Sequence, residues 1–327
     1  MTNRERFIRT LKCEPIGGQV PTFELFFYLT MEALGQVHPH HRVNGGGNVW
    51  QQMSLNEKKL HMDSIAQTYI DTAKLYGHSA IVIWPYKHEN LFENTLWLAE
   101  IIREKTGDEY CLLTAESDPT WPIPSGSEMV DFAVKMYEQP EVLNEASARR
   151  VEAHLEMTRK LHERGHLLDG VCLCSDYCFN LNPFFSQESF EELIVPFLKE
   201  TISENRKMGY YTIKHTDGNI MPILKQIADC KPDAIHSLDP QGGVSIPEVR
   251  KVIGPDMAIC GNVNCGLLQT GTDEEIREDT LRSLREGMAN GKGYICCTSN
   301  CVYTGMPLHG YELMNNLWRE YGNYDRL

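Results

Sequence analysis

The residues of this chain with the most chemical character lie far apart: His215, Asp217, Asp239, Cys265 and Cys301 each follow a short apolar run. Thiolate, imidazole and carboxylate are the donors that a borderline-soft ion such as zinc takes. His215, Asp239, Cys265 and Cys301 could hold such an ion with one position left for substrate, and Asp217 is a competing carboxylate. Their spacing has none of the compactness of a zinc finger, so the site depends on a fold that gathers these segments. The competing reading makes Cys265 and Cys301 small buried residues, because free Cys is among the most buried types. Glu24 ends another apolar run and could serve as base or extra ligand, and Asp217 is a second acid–base candidate. Asp176, Tyr177, Asn262 and Asn300 stand at similar run ends and suit substrate orientation; Tyr303 could line a pocket.

The runs themselves read as buried strands: Val20–Leu25, Ala80–Trp84, Tyr110–Ala115, Gly170–Ser175, Tyr211–Lys214, Ala234–Ser237, Met257–Cys260 and Gly293–Cys297. Several are apolar on both faces, as parallel strands must be when helices cover the sheet. Amphipathic stretches follow most of them. Thr2 with Glu5, Ser245 with Glu248 and Thr272 with Glu275 fit the capping box that opens a helix. After Ser186, the residues Phe190, Leu193, Ile194, Phe197 and Leu198 share a helix face, and Leu143–Gly165 reads as a long charged helix outside the sheet. About eight β/α units in roughly 300 residues predict an α/β fold, a TIM (β/α)8 barrel with an N-terminal helical extension, in one domain spanning 1–327. In that fold the working residues sit at the C-terminal ends of the strands, which is where the His, Asp and Cys fall. A doubly wound open sheet is the weaker alternative, since no Gly-rich phosphate loop follows the first strand.

Composition narrows the partners. With 31 Lys and Arg against 45 Asp and Glu, the net charge of −14 disfavours a nucleic-acid partner. No apolar run approaches the roughly 18 residues of a membrane helix. Basic Met1–Lys12 leads into no apolar signal core, and eleven cysteines without a regular framework predict reduced thiols in a cytoplasm. Cys172 and Cys174 share one strand face and, with Cys178, read as core. His38, His40 and His41 read as solvated surface, Gly45-Gly46-Gly47 as a loop, and Tyr311 as packing. No G-x-S-x-G elbow occurs, so an α/β-hydrolase triad has no support.

In their order along the chain, these segments resemble the uroporphyrinogen decarboxylase superfamily, which includes corrinoid-dependent methyltransferases. The resemblance runs through Met1–Arg6 with Val20-Pro21, Ser175-Asp176, Asn182-Pro183, Ser186–Phe190 and Pro196-Phe197. It continues through His215–Asn219, Leu238-Asp239, Gly261-Asn262-Val263 and the segment from Asn300-Cys301 to Pro307. The family fold is a TIM barrel. True uroporphyrinogen decarboxylases carry an Arg-containing motif after the first strand and a catalytic Asp after the second. This chain has Phe23–Tyr28 without Arg, and Trp84-Pro85-Tyr86. An octa-acid tetrapyrrole needs cationic clamps, so the resemblance points to the methyltransferase branch.

That branch binds zinc through a His-x-Cys pair and a later Cys; His215 and Cys301 fall on those positions, with Asp217 in place of the middle Cys. Relatives that demethylate methoxylated compounds use Asp and two Cys, for which Asp239, Cys265 and Cys301 are the matching residues. The resemblance therefore implies a zinc-dependent methyltransferase that moves a methyl group between a small ether or thiol and cobalamin on a corrinoid protein. The aromatic run Phe26, Phe27, Tyr28, Trp84 and Tyr86 suits a methyl ether. Two other readings are a metal-free decarboxylase or lyase of the same fold and a non-catalytic ligand-binding barrel.

Overall fold

In the computed structural model, which describes residues 1–38, 49–84 and 91–326, seven of the apolar runs become strands. They are β1 (Ala80–Ile83), β2 (Cys111–Ser117), β3 (Gly170–Cys174), β4 (Tyr211–Thr216), β5 (Ala234–Ser237), β6 (Ala258–Cys260) and β7 (Tyr294–Ile295). All neighbours pair in parallel and in chain order, β1 through β7. That order excludes the doubly wound alternative, whose strand order reverses at a switch point. The result is a TIM-barrel-like parallel sheet with helices outside it.

The expected strand Val20–Leu25 is not regular, because Pro21 has no N–H to give a ladder. It still occupies a strand's place. The Ser79 N–H donates to the Thr22 carbonyl at 2.6 Å and the Cys296 N–H to the Pro21 carbonyl at 2.9 Å, linking it to the chain at β1 and β7. Thr22 also bridges Cys296 in parallel.

Alternation along the strands splits the core in two. Cys172, Ile213, Ala234, Ala258, Cys260 and Ile295 pack on one face with Phe23 and Leu25. Val171, Leu173, Ile235 and Ile259 pack on the other against the helix residues Phe190, Leu193, Leu198 and Val249. The first face carries the small residues Cys172, Ala234, Ala258 and Cys260, which suit the narrow inside of a curled sheet. Every cysteine is a free thiol.

The helix Asn3–Leu11 opens with the expected Thr2–Glu5 capping box. Its Arg4 reaches Asp169, just before β3, at 2.6 Å, and its Phe7 stacks edge-on against Phe23 at 5.4 Å. This helix therefore covers the N-terminal end of the sheet. The Thr272–Glu275 box also forms. Ser245 precedes the helix Ile246–Ile253, but its side chain makes no cap bond; Pro247, in the first turn, supplies the preset φ instead. The helix after Ser186 breaks at Ile194 into Gln187–Leu193 and Val195–Lys207, with Pro196 in the first turn of the second. The long charged helix spans Pro140–Glu163.

Of the segments singled out above, His40, His41, Gly45, Gly46, Gly47, Pro85 and Tyr86 lie outside the described residues. No helix among the described residues is long and apolar enough to cross a membrane. Because Phe7 is fully buried where the helix meets the sheet interior, Phe7→Ala should cost about 3–5 kcal/mol. Urea unfolding monitored by circular dichroism measures it, and a cost below about 1 kcal/mol would show that the helix is not part of this core.

Candidate functional site

At the C-terminal end of the sheet, Cys174 of β3 is in register with His215 of β4, and His215 with His236 of β5. The chain leaves β3 through Ser175-Asp176 and β4 through Asp217-Gly218. Gly218 has φ +74°, and a Cβ there would stand 2.4 Å from the Phe179 carbonyl oxygen. Only glycine lets the segment after β4 turn so closely beneath the segment after β3. That turn sets Asp217 beside Asp176, whose carboxylate accepts the Asp217 N–H at 3.0 Å.

Asp176, His215 and Asp217 each offer a ligand atom within 4.8 Å of the others, and no other group of three His, Cys, Asp or Glu does so among the described residues. The His215 Nε2 stands 3.7 Å from Asp176 Oδ1 and 3.7 Å from Asp217 Oδ1. Its other nitrogen, Nδ1, is 2.7 Å from Nδ1 of fully buried His236. One ring donates and the other accepts. Burial, reinforced by the charge of His215, holds His236 well below the ordinary imidazole range, so it stays neutral.

Asp217 is fixed on both oxygens. Ser237 Oγ donates to Oδ1 at 2.7 Å, and the Asn300 amide donates to Oδ2. Burial raises the Asp217 carboxyl above the usual range against the opposing pull of His215, and nearby Asp176 adds to the rise. Two carboxylates thus crowd one imidazole nitrogen, an arrangement that favours a cation between them.

Residues 125–321 match the model of the family described as uroporphyrinogen decarboxylase (URO-D). The chain belongs to the uroporphyrinogen decarboxylase family. In fold it is similar to a methyltransferase from Methanosarcina mazei, at 19 % identity and a TM-score of 0.74, with 98 % of this chain and 99 % of that one covered. It is also similar to a Listeria monocytogenes protein described as a vitamin-B12-independent methionine synthase, at 13 % identity and a TM-score of 0.53, covering 94 % and 97 %. No curated protein sequence matches it. The family span includes Asp176, His215, Asp217 and Cys301 but excludes Glu24 and Asp118.

The set His215, Asp239, Cys265 and Cys301 is not drawn together in this uroporphyrinogen decarboxylase-family structure. No three of these residues bring ligand atoms within 4.8 Å of one another. Asp239 Oδ1 accepts the Gln241 N–H of its own turn at 3.0 Å. The Cys265 thiol faces the Cys301 carbonyl at 3.7 Å, and burial pushes it up to about 12. Cys301 is half-buried, and burial followed by the Asp217 charge lifts its thiol to about 11.

The residues expected to meet substrate divide as well. Asn300 touches Asp217, and Asp176 is an exposed member of the triad. Asn262 is fully buried, donating to the Leu238 carbonyl at 2.8 Å and accepting from Arg282 at 3.1 Å. Tyr177 is fully buried too, with its hydroxyl 2.7 Å from Thr120 Oγ1 and 3.2 Å from Asp118. Tyr303 is half-buried and donates to Gln269.

Sequence reasoning missed His236, Ser237 and the pair Asp118–Lys214. A polar residue inside an apolar strand was the available signal: Lys214 and His236 both interrupt runs that otherwise read as core.

Glu24 sits at the same end of the sheet, 5 % exposed, accepting from Thr298 Oγ1 at 2.6 Å and from the Thr298 N–H at 3.3 Å. Burial outweighs these bonds and one from Tyr311, and raises the carboxyl from 4.5 to about 8. Glu24 therefore keeps its proton in the folded protein at neutral pH, whereas the unfolded chain loses it above about 4.5. With fewer protons bound in the unfolded state, stability falls as pH rises between those two values and the fall stops above about 8. Glu24→Gln should flatten that decline. Urea midpoints at pH 5 and pH 8 measure it; identical pH slopes in the two proteins would show that Glu24 is ionised in the fold.

Proposed function

We propose that this chain is a methyltransferase of the uroporphyrinogen decarboxylase superfamily that moves a methyl group between a small molecule and a corrinoid carried by a partner protein. In this reading the barrel is closed, with Val20–Leu25 as its eighth stave and the helix Asn3–Leu11 as the N-terminal extension. The observation that carries it is the pair of carboxylates, Asp176 and Asp217, facing one nitrogen of His215.

These residues fit a zinc ion. One imidazole and two carboxylates lie within zinc's donor range. The Asp217 carboxylate is held by Ser237 and Asn300, and the second nitrogen of His215 is taken by His236, the kind of outer partner that ligating imidazoles have. For His215 to present its Nε2 lone pair, its Nδ1–H must donate to His236, which leaves the His236 proton on Nε2. That atom is buried and has no hydrogen-bond partner. Burial, Asp217 and Asp176 all oppose ionisation of the Cys301 thiol, which is not grouped with the three donors and would be a further ligand only if it moved in once a cation had neutralised the carboxylates.

When bound, zinc supplies Lewis acidity at the heteroatom that carries the methyl group. Carboxylate ligands donate less charge to the ion than thiolates, which favours an oxygen donor, a methyl ether, over a thiol. The chain's own residues do the rest. Asn300 and Ser237 keep Asp217 from rotating, and His236 fixes the His215 ring. Glu24 holds a proton at neutral pH and gives it to the oxygen from which the methyl group departs. The cavity beside Glu24, walled by Phe26, Phe27, Tyr69 and Trp84, measures about 30 Å³, room for a methyl group and not for a ring. Phe23–Tyr28 carries no Arg to clamp a porphyrinogen's carboxylates.

Elemental mass spectrometry on untagged protein tests the reading. Wild type should carry near-stoichiometric zinc, His215→Ala and Asp217→Ala should lose it, and Cys265→Ser should keep it. The loaded protein should then methylate cob(I)alamin from a methoxylated compound. A wild type that holds no zinc after reconstitution would overturn the zinc reading and leave Asp176 and Asp217 as an acid–base pair.

A further inference from the structure

The outward face of the sheet is apolar at Val171, Leu173, Ile235 and Ile259, where helices cover it. Lys214 breaks that pattern. It stands on the same face, in register with Leu173 on one side and Ile235 on the other, and its side chain is 0 % exposed. Asp118, equally buried, meets its ammonium at 2.6 Å. Such a pair is a poor means of stabilising a fold, because desolvating two ions offsets most of their attraction and apolar residues of like volume do as well or better. Its value must lie in what it holds in place.

The ammonium has three protons, and three close acceptors surround it: Asp118 Oδ2 at 2.6 Å, the His215 carbonyl at 2.8 Å and the Ser175 carbonyl at 3.0 Å. These lie on the segments leaving β2 and β3 and on β4 itself. His215 is itself a member of the triad, and Ser175 directly precedes Asp176. Asp118 is locked in turn: Thr120 donates to its Oδ1 from both N–H and hydroxyl, and the Tyr177 hydroxyl reaches its Oδ2 at 3.2 Å. The Asp118 N–H donates to the Cys174 carbonyl at 3.2 Å, tying the main chain at Asp118 to the end of β3. The ring of Tyr177 closes over the ammonium at 4.3 Å.

We infer that the buried Asp118–Lys214 pair is a positioning device for the metal centre, setting the backbone of Ser175 and His215 and through it the separation of the Asp176 and His215 donors. The inference rests on the metal reading proposed above. Neither residue touches the metal; both act through the two carbonyls.

The test is the double variant Asp118→Leu with Lys214→Met, which removes both charges and restores an apolar outward face. Its urea midpoint should equal or exceed that of wild type. Its zinc affinity, measured by competition with a chelating dye, should fall about 10–100-fold. At saturating cobalt(II), the visible absorption bands of the bound ion should shift, since they report ligand geometry and not stability. Ile235→Val, on the same face, is the control that lowers stability without moving the bands. Asp118→Asn, which keeps the shape, should shift them in the same direction and serves if the double variant does not fold. Wild-type bands and affinity in a folded charge-free variant would overturn the positioning role alone. A wild type that binds neither zinc nor cobalt would overturn the metal reading and this inference together.

Discussion

The pairing of Cys174 with His215 and of His215 with His236 is the constraint on which the rest of the site depends. Side chains alternate along a strand with a period of two, so a one-residue slip would send His215 to the helix side of the sheet and Lys214 inward. Both faces are buried, which makes either exchange costly and the register unique. From it follow the contact of the two imidazoles, the placement of Lys214 among Leu173 and Ile235, and the exit of Asp176 and Asp217 side by side.

This site is built on an excess of negative charge. Asp176, Asp217, Asp239 and Glu24 all stand where strand segments end, and each is dealt with differently. Asp239 caps a turn and Glu24 is neutralised by burial. Asp118, deeper, has the Lys214 ammonium: burial alone would raise it, but the adjacent charge and the bonds from Lys214 and Thr120 bring it below the usual carboxylate range. Asp176 and Asp217 are left facing His215. The balance of desolvation against local cations thus singles out these two carboxylates without reference to any relative.

The strands were legible because a buried parallel strand is a continuous apolar run, and Ala234–Ser237 forms where it reads. Val20–Leu25 was legible as a stave but not as an irregular one, since its backbone bonds depend on neighbours far along the chain. His215, Asp176 and Asp217 were all visible as residues after strands. Their association was not, because it rests on a close approach of two loops at Gly218 that no periodicity encodes. Cys265 reads two ways for a physical reason: thiols are good zinc ligands and also good core residues, and here the residue is buried with its thiol facing the Cys301 carbonyl. Lys214 carried a signal that went unread, a charge where the pattern demands an apolar side chain.

The rim's backbone is rigid in a way that bears on what it can bind. Ser237 has φ +100° and Leu238 φ +54°, conformations that side-chain-bearing residues rarely adopt and that persist only where surroundings enforce them. Here the enforcement is visible. Gly261, with φ +141°, packs so close that a Cβ would stand 2.6 Å from the Ser237 carbonyl oxygen, and the Ser237 hydroxyl lies between Asp217 and the Ser299 carbonyl with one proton to share. Backbone therefore rests on backbone behind Ser237, whose hydroxyl meets the Asp217 carboxylate. Asp176, beside it and half-exposed, is held at one oxygen by the Asp217 N–H. In the proposed metal site, His215 with Asp217 would form the fixed wall, and Asp176 the side open to solvent.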